Sequence, residues 1–252
     1  MLTLDRPDAL NAMTAELCGA LHEELDRIAA DRSCRAVVIT GAGRGFCVGL
    51  DLRGFGEAPG NDATDNARDR LGNQEYMSRL VLKLRETPQP VIAAVNGAAA
   101  GFGLALALGC DIRYAAPEAV FRAIFLNVGV SNCDMGTSWL LPRLIGASRA
   151  HELMLTGRRV GAEEAERIGL VAGVVDGDAL VGRAVEAAEA IAQWSPWGIR
   201  LTKQGMWAAL EIPSERAAIE YEDRQQIMAL HGTAPAEAVT AFLEKRPAEF
   251  GD

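Results

Sequence analysis

The stretches that decide the fold are GFCVGLDL (residues 45–52) and VIAAVNGAAAGFG (residues 91–103), and each joins an apolar, β-prone run to a tight glycine turn. Glycine lets the chain bend sharply and approach a ligand closely, which leaves backbone N–H groups uncovered. Two such N–H groups aimed at one point make an oxyanion hole, the device that stabilises a developing enolate or alkoxide. The pair of turns therefore predicts a site in which backbone donors do part of the chemistry.

Length and composition indicate a globular enzyme rather than a membrane or secreted protein. The 252 residues are 49% hydrophobic and 23% charged, which is ordinary for a soluble protein with a sizeable core. The longest apolar run, residues 91–108, is interrupted by glycines and Asn96, so it predicts a buried strand, turn and helix instead of a membrane span. The N-terminus lacks the basic segment and apolar core of a signal peptide. We expect a cytoplasmic protein with no membrane partner.

Charge and metal-binding patterns exclude other classes of function. The net charge of −9 argues against nucleic acid as the main partner, and an anionic ligand would need local Arg and Lys. The five cysteines are odd in number and lack metal-like spacing, so reduced thiols are the simplest interpretation, with Cys133 a small buried residue. The three histidines fall outside the glycine-turn segments, so we expect no metal site and no histidine catalyst.

Apolar periodicity and capping signals divide the chain into elements. Thr14 is a predicted N-cap of an amphipathic helix, and buried strands are predicted at residues 36–40 and 91–95. Residues 53–74 are polar and rich in Gly, Asp and Asn, which predicts a mobile loop before a helix that ends near residue 86. From residue 179 onward the pattern is helical, and Ser195 followed by a proline marks one helix start.

Two further motifs complete a resemblance. RPDALNA (residues 6–12) and FLEKR (residues 242–246) flank the two glycine turns, and all four in this order resemble the enoyl-CoA hydratase/isomerase (crotonase) superfamily from about Leu2 to Phe250. The resemblance implies an α/β fold, with a crotonase-type spiral of β-β-α turns over residues 1–190. It also implies a helical region at residues 191–252 that covers the site and builds a homotrimer or a dimer of trimers. The implied ligand is an acyl-CoA substrate, with no cofactor beyond its coenzyme A moiety.

The resemblance also implies which residues bind the substrate. It places the oxyanion donors at the backbone N–H groups of Leu50 and Phe102. For Arg44, Arg53 and Lys245, contact with coenzyme A phosphates and plain solvated surface charge both remain open. Asp51 is expected to fix the first turn by hydrogen bonds. The complete set of candidate coenzyme A contacts is Arg44, Leu50, Asp51, Leu52, Arg53 and Lys245.

The acid/base positions depart from the hydratase pattern. Hydratases of the superfamily use two glutamates, and the matching positions here are Ala105 and Phe125. Hydration requires a base that activates water and an acid that protonates the α-carbon. Alanine and phenylalanine supply neither, so the two-glutamate route is not expected.

Asp134 is the candidate base. In GVSNCDMGTSWLLPR (residues 129–143), it lies five residues before Trp139, where double-bond isomerases of the superfamily often carry a carboxylate. Counted from Gly129, this chain is one residue longer than the common pattern, which leaves the register open. A pocket lined by Ala105, Phe125 and Val130 would desolvate the carboxyl and raise its pKa.

Other interpretations of Asp134 and of the protein stay open. Asp134 precedes a predicted helix near residue 137, so it is equally a candidate helix cap. Asn132 and Ser138 are candidate orienting groups or turn residues. The leading hypothesis is an enoyl-CoA isomerase with Leu50, Phe102 and Asp134 as catalytic groups. The alternatives are a hydratase-like enzyme with atypical acid/base residues and a non-catalytic acyl-CoA-binding protein.

Overall fold

Two β-sheets form the framework of the fold in the computed structural model, which describes residues 1–54 and 67–251. The larger sheet has the strand order β1-β2-β4-β6-β9 and is parallel throughout. The smaller sheet has the order β3-β5-β7-β8, and its β7–β8 pair is antiparallel. The strands are β1 (Leu2–Leu4), β2 (Val37–Gly41), β3 (Gly45–Cys47), β4 (Val91–Val95), β5 (Ala98–Ala100), β6 (Ile112–Ala115), β7 (Val120–Arg122), β8 (Val160–Gly161) and β9 (Gly173–Val174).

Helices follow pairs of strands, and each pair places one strand in each sheet. Thus β2 and β3 precede α2, β4 and β5 precede α3, and β6 and β7 precede α4. This recurrence is the predicted spiral of β-β-α turns in an α/β fold. The helices are α1 (Ala15–Ala30), α2 (Ala67–Glu86), α3 (Phe102–Gly109), α4 (Thr137–Ile145), α5 (Ala147–Thr156), α6 (Ala162–Arg167), α7 (Gly177–Ala192), α8 (Pro196–Ala209), α9 (Glu215–Leu230) and α10 (Ala234–Glu244).

The central helix α3 explains why the second glycine turn is firmly placed. All eight of its residues are buried, and it packs against α2, α4 and β5. A helix that is apolar on every side has to lie inside the protein. The second face of the larger sheet is covered by α7, whose Leu180, Ala184 and Ala187 pack on Ile92 and Tyr114.

The C-terminal helices are joined to the core through α8. The Lys203 ammonium lies 2.8 Å from the Asp111 carboxylate, and the Trp207 indole N–H donates to the same carboxylate at 2.7 Å. Both Lys203 and Asp111 are almost fully buried, so this pair ties α8 to the end of α3. The predicted division at residue 190 falls in the last turn of α7, and the division itself stays a prediction.

Several predicted elements are confirmed and others are corrected. Thr14 accepts a hydrogen bond from the Leu17 N–H as the N-cap of α1, and Ser195 caps α8 in the same way. The loop predicted at residues 53–74 is wrong in its last part, because α2 already begins at Ala67. Residues 55–66 of that loop lie outside the described residues. Within the described ranges, no helix is long and apolar enough to cross a membrane.

Candidate active site

The two glycine turns lie against each other because glycine removes the side chains that would separate them. A Cβ on Gly103 would lie 1.8 Å from the Cys47 carbonyl oxygen, which no side chain can tolerate. A Cβ on Gly101 would lie 3.8 Å from the Gly49 Cα, and Gly101 has a φ of +52°, which favours glycine. The start of α3 therefore packs directly on the backbone of the first turn, as the sequence predicted.

The backbone N–H groups of Leu50 and Phe102 take no part in the strand pairing beside them, among the described residues. Met13 bridges the first turn in parallel, with its N–H donating to Gly49 and its carbonyl accepting from Asp51, both at 2.8 Å. Met13 is thus bonded to the residues before and after Leu50. In a parallel pair this arrangement directs the Leu50 N–H away from Met13. Phe102 begins α3, where the first N–H groups have no partner within the helix.

The side chains of these two residues pack into the hydrophobic core. Phe102 is fully buried in the main core, and Leu50 packs against that core. In the described parts of the chain, neither backbone N–H donates to another group. Two uncommitted donors on touching turns are what an oxyanion hole requires, and their contact with a substrate stays a prediction.

The N-terminal motif braces the first turn. Asn11 is fully buried, and its amide donates to the carbonyls of Ala42 and Gly45 at 2.9 and 2.7 Å. Arg6 donates to the Asp51 carboxylate at 2.9 Å. This bond and the Arg53 N–H lower the pKa of Asp51 below its usual range. Asp51 thus fixes the turn, as expected.

The other candidate coenzyme A contacts are solvent-exposed. The Arg53 side chain is 88% exposed and lies 4.0 Å from Asp51, while Arg44 and Leu52 are exposed beside the first turn. Lys245 is exposed at the end of α10 with a φ of +54°. Their exposure leaves these side chains accessible to a ligand, and the predicted phosphate contacts stay predictions.

The two positions that match the hydratase glutamates hold apolar, buried residues. Ala105 is fully buried in α3, and Phe125 is 7% exposed. The Phe125 ring lies 3.6 Å from where a Gly101 Cβ would be, so it fills space next to the second turn. Val130 is 47% exposed, so it does little to shield Asp134 from solvent, and the predicted pocket lining stays a prediction.

Asp134 is half-buried and is held by a residue that sequence analysis placed in a loop. The Gln74 side-chain amide, on α2, donates to its Oδ1 at 2.6 Å. Burial raises the pKa of Asp134 above its usual range, and hydrogen bonds from the Met135 backbone and from Gln74 partly oppose this. The helix-cap interpretation is not supported, because the N-cap of α4 is Gly136 and no side chain caps it.

Asn132 anchors the segment that carries Asp134. Its buried amide donates to the carbonyls of Ala123 and Met154, at 3.1 and 2.6 Å. It is thus an orienting residue of this segment, whereas Ser138 is exposed at the start of α4. The expectation that Cys133 is buried is wrong, because it is an exposed free thiol.

Sequence reasoning missed the role of Gln74, although a signal for it exists. Residues 74, 77, 81 and 84 are spaced to share one face of a helix, and Val81 and Leu84 are buried. A glutamine on this otherwise apolar face needs a polar partner.

Among the described residues, no group of three His, Cys, Asp or Glu side chains is arranged to hold a metal ion. The expectation of a metal-free site stays a prediction.

Known proteins resemble the chain over its whole length. The family model for enoyl-CoA hydratase/isomerase matches residues 1–252. A probable enoyl-CoA hydratase of Mycobacterium tuberculosis is 44% identical over 252 residues, covering 100% of this chain and 88% of the relative.

Two solved structures are also similar. A probable enoyl-CoA hydratase/isomerase from Mycobacterium abscessus has a TM-score of 0.91 at 44% identity, covering 98% of this chain and 93% of that one. A monofunctional enoyl CoA isomerase from M. smegmatis has a TM-score of 0.72 at 42% identity, covering 86% and 91%. With the spiral fold and the paired glycine turns already in place, these matches lead to one conclusion: the chain belongs to the enoyl-CoA hydratase/isomerase family.

Proposed function

We propose that this protein is an enoyl-CoA double-bond isomerase that works through an enolate held by the Leu50 and Phe102 N–H groups. The observation that carries the proposal is the contrast between the acid/base positions. Ala105 and Phe125 stand where hydratases carry glutamates, whereas Asp134 is a half-buried carboxyl held by a neutral hydrogen-bond donor. One carboxylate is enough to move a proton between two carbons, but hydration also needs a positioned water.

The mechanism requires one base and one oxyanion site. The two N–H groups donate to the thioester oxygen of a 3-enoyl-CoA, which acidifies the carbon between the carbonyl and the alkene. The Asp134 carboxylate takes a proton from that carbon, and the electron pair spreads over the dienolate. The carboxyl then returns the proton two carbons along, which yields the conjugated 2-enoyl-CoA. Proton and double bond have both shifted, and no water, oxidant or metal is consumed.

The surroundings of Asp134 suit this role. Its pKa is raised chiefly by burial, and a base is most effective when its pKa lies near the working pH. Activity is therefore expected to fall as the pH drops through this raised pKa, above the usual range of an aspartate. The isomerase of M. smegmatis among the similar structures supports the choice, while the hydratase names of other relatives keep the alternative in view.

The remaining parts of the proposal concern binding and assembly. Arg44, Arg53 and Lys245 contact the phosphates of coenzyme A, with Leu52 and the first turn beside it, and no further cofactor is required. The protein works in the cytoplasm as a homotrimer or a dimer of trimers. In support of assembly, α9 buries none of its own residues, and Ile227, Phe242 and Leu243 are exposed apolar side chains on α9 and α10.

The proposal is tested by following the conversion of a 3-enoyl-CoA to the conjugated 2-enoyl-CoA by ultraviolet absorbance. Asp134→Asn is expected to lower kcat by about 10²–10⁴, the usual contribution of a general base. Acyl-CoA binding, measured by calorimetry, should stay within twofold of the parent. Asp178→Asn, an exposed aspartate on α7, is the matched control and should behave as the parent.

Two outcomes would replace the proposal. Hydration of a 2-enoyl-CoA that survives in Asp134→Asn would indicate a hydratase-like enzyme with other acid/base groups. Acyl-CoA binding without turnover of either substrate would indicate a non-catalytic binding protein, and Asp134 would then have no chemical role.

A further inference from the structure

We propose that Gln74 is a positioning residue, whose side-chain amide holds one oxygen of the Asp134 carboxylate and leaves the other free to move the substrate proton. This inference rests on the proposed isomerase function. Its direct basis is the 2.6 Å hydrogen bond from Gln74 Nε2 to Asp134 Oδ1, which joins two residues 60 positions apart.

Gln74 is well placed to position another group because its helix is fixed to the core. Further along α2, Leu80, Val81 and Leu84 are buried. On the side of α1, a His22 ring nitrogen lies 3.0 Å from the Tyr76 carbonyl oxygen, and the Lys83 ammonium donates to the His22 carbonyl at 2.9 Å. A donor on an anchored helix is held more precisely than one on a loop.

The bond gives the two carboxylate oxygens different tasks. Gln74 donates to Oδ1, and no other described side chain donates to the carboxylate, so we assign Oδ2 as the oxygen that meets the α-carbon of the substrate. Because glutamine is neutral, it orients the carboxylate without neutralising it, as an arginine or lysine would. A proton-transferring group must be held close to its productive geometry for the reaction to be fast.

No charged side chain in the described parts of the chain competes with this arrangement. The titratable groups nearest to the pair along their elements are Arg70, Glu75 and Tyr76 on α2, Cys133 beside Asp134, and Arg143 on α4. None of them contributes to the pKa shift of Asp134, which has burial as its largest cause and two neutral hydrogen bonds opposing it. The Gln74 bond is therefore one of two neutral hydrogen bonds, with that of the Met135 backbone, that favour the charged form of the base.

The test is Gln74→Met, which keeps the length and shape of the side chain but removes the donor. Because the bond favours the charged carboxylate, its loss should raise the pKa of Asp134. This shift is measured by carbon NMR on the intact protein with labelled aspartate, with the signal assigned by Asp134→Asn. The acid limb of the pH profile of kcat/KM for isomerisation should move to higher pH by the same amount.

The plateau of the pH profile separates positioning from simple tuning of the pKa. A base that is only made more basic keeps or raises its plateau rate, whereas a misplaced base loses rate at every pH. We expect kcat at the plateau to fall about 10- to 100-fold with KM within twofold, in line with the sensitivity of catalysis to misplaced groups. Asn73→Met, which introduces methionine at the preceding position of α2, is the control. It should leave the Asp134 titration and kcat unchanged.

The possible failures are distinct. If the parent isomerises and Gln74→Met keeps both the parent titration and the parent plateau, the positioning role is overturned. If the titration moves but the plateau is kept or raised, Gln74 tunes the pKa and does not position. If the parent itself does not isomerise a 3-enoyl-CoA, the proposed function fails and the positioning role fails with it, even where NMR detects the hydrogen bond.

Discussion

The glycine turns and the segment around Asp134 serve the same proposed reaction but are held in place by different means. The turns touch through backbone: a Cβ on Gly97 would lie 2.1 Å from the Arg44 carbonyl oxygen, and the contact of Gly103 with Cys47 is closer still. The segment with Asp134 is held by the side-chain amides of Asn132 and Gln74. Side-chain identity therefore matters little at the oxyanion donors and greatly at the base.

This difference accounts for the unequal departures from the family pattern. Leu50 and Phe102 would donate through the backbone, so their side chains can simply join the core. At Ala105 and Phe125, the replaced groups would have been the reacting carboxylates themselves. One spiral fold can thus keep its proposed oxyanion donors while the residues at the acid/base positions change.

Among variants that disturb how the two regions are held, the largest effect is expected from Gly103→Ala, which breaks the backbone contact between the turns. The new Cβ would lie 1.8 Å from the Cys47 carbonyl oxygen, so β3 and α3 must separate. We expect kcat to fall by about 10²–10³, the usual effect of losing an oxyanion donor. Overpacking should also destabilise the fold by about 1–3 kcal/mol. Turnover and urea denaturation measure the two effects.

Gly182→Ala is the control for this variant. Gly182 lies in α7 with no atom within 4 Å of the added Cβ. Alanine should make that helix about 0.5–1 kcal/mol more stable and leave turnover unchanged. Parent-like turnover in Gly103→Ala would show that the turns do not touch as described.

An intermediate effect is expected from Asn132→Ala, which breaks the side-chain anchor of the Asp134 segment. The buried carbonyls of Ala123 and Met154 would lose their donor, with a cost of about 1–3 kcal/mol in the free energy of unfolding. Isomerisation should fall more than acyl-CoA affinity, because the oxyanion turns are not touched.

Ser131→Ala is the neighbouring control, since its hydroxyl accepts one exposed hydrogen bond, from the Cys133 N–H, among the described residues. Its stability should stay within about 0.5 kcal/mol of the parent. An Asn132→Ala protein that loses acyl-CoA affinity and turnover together would mean that the two regions are not independent.

The smallest effect is expected at the exposed charges beside the first turn. Arg53→Ala removes a cation that is 88% exposed, so its proposed attraction to a coenzyme A phosphate should contribute about 0.2–1 kcal/mol. The KM for acyl-CoA should rise by less than about fivefold, with kcat unchanged, and the difference should shrink at high salt. Arg27→Ala, on α1, is the control. An equal rise in KM in this variant would mean that the effect comes from the net charge of the protein and not from a contact of Arg53.

Much of the fold and part of the site were predictable from the chain itself. The Thr14 cap, the buried strands and the glycine turns depend on local patterns, and they form as expected. The start of α2 was missed because residues 67–74 are polar and lack the apolar periodicity that marks a helix. The exposure of Cys133 and Val130 was missed because composition does not report which side of a loop faces the solvent.

What the sequence determined by itself is the backbone part of the site. Glycine at positions 49 and 101 allows the positive φ of the two turns, and Gly103 allows the close backbone approach, so the order of residues predicted the turns. The resemblance then placed the proposed donors at Leu50 and Phe102. What only the tertiary structure decided is the setting of the base. The Asp134 carboxyl is half-buried and bonded to Gln74 because α2 and the segment before α4, 60 residues apart, are packed side by side. A local pattern can show that Gln74 needs a polar partner, but which residue that partner is depends on how distant parts of the chain pack.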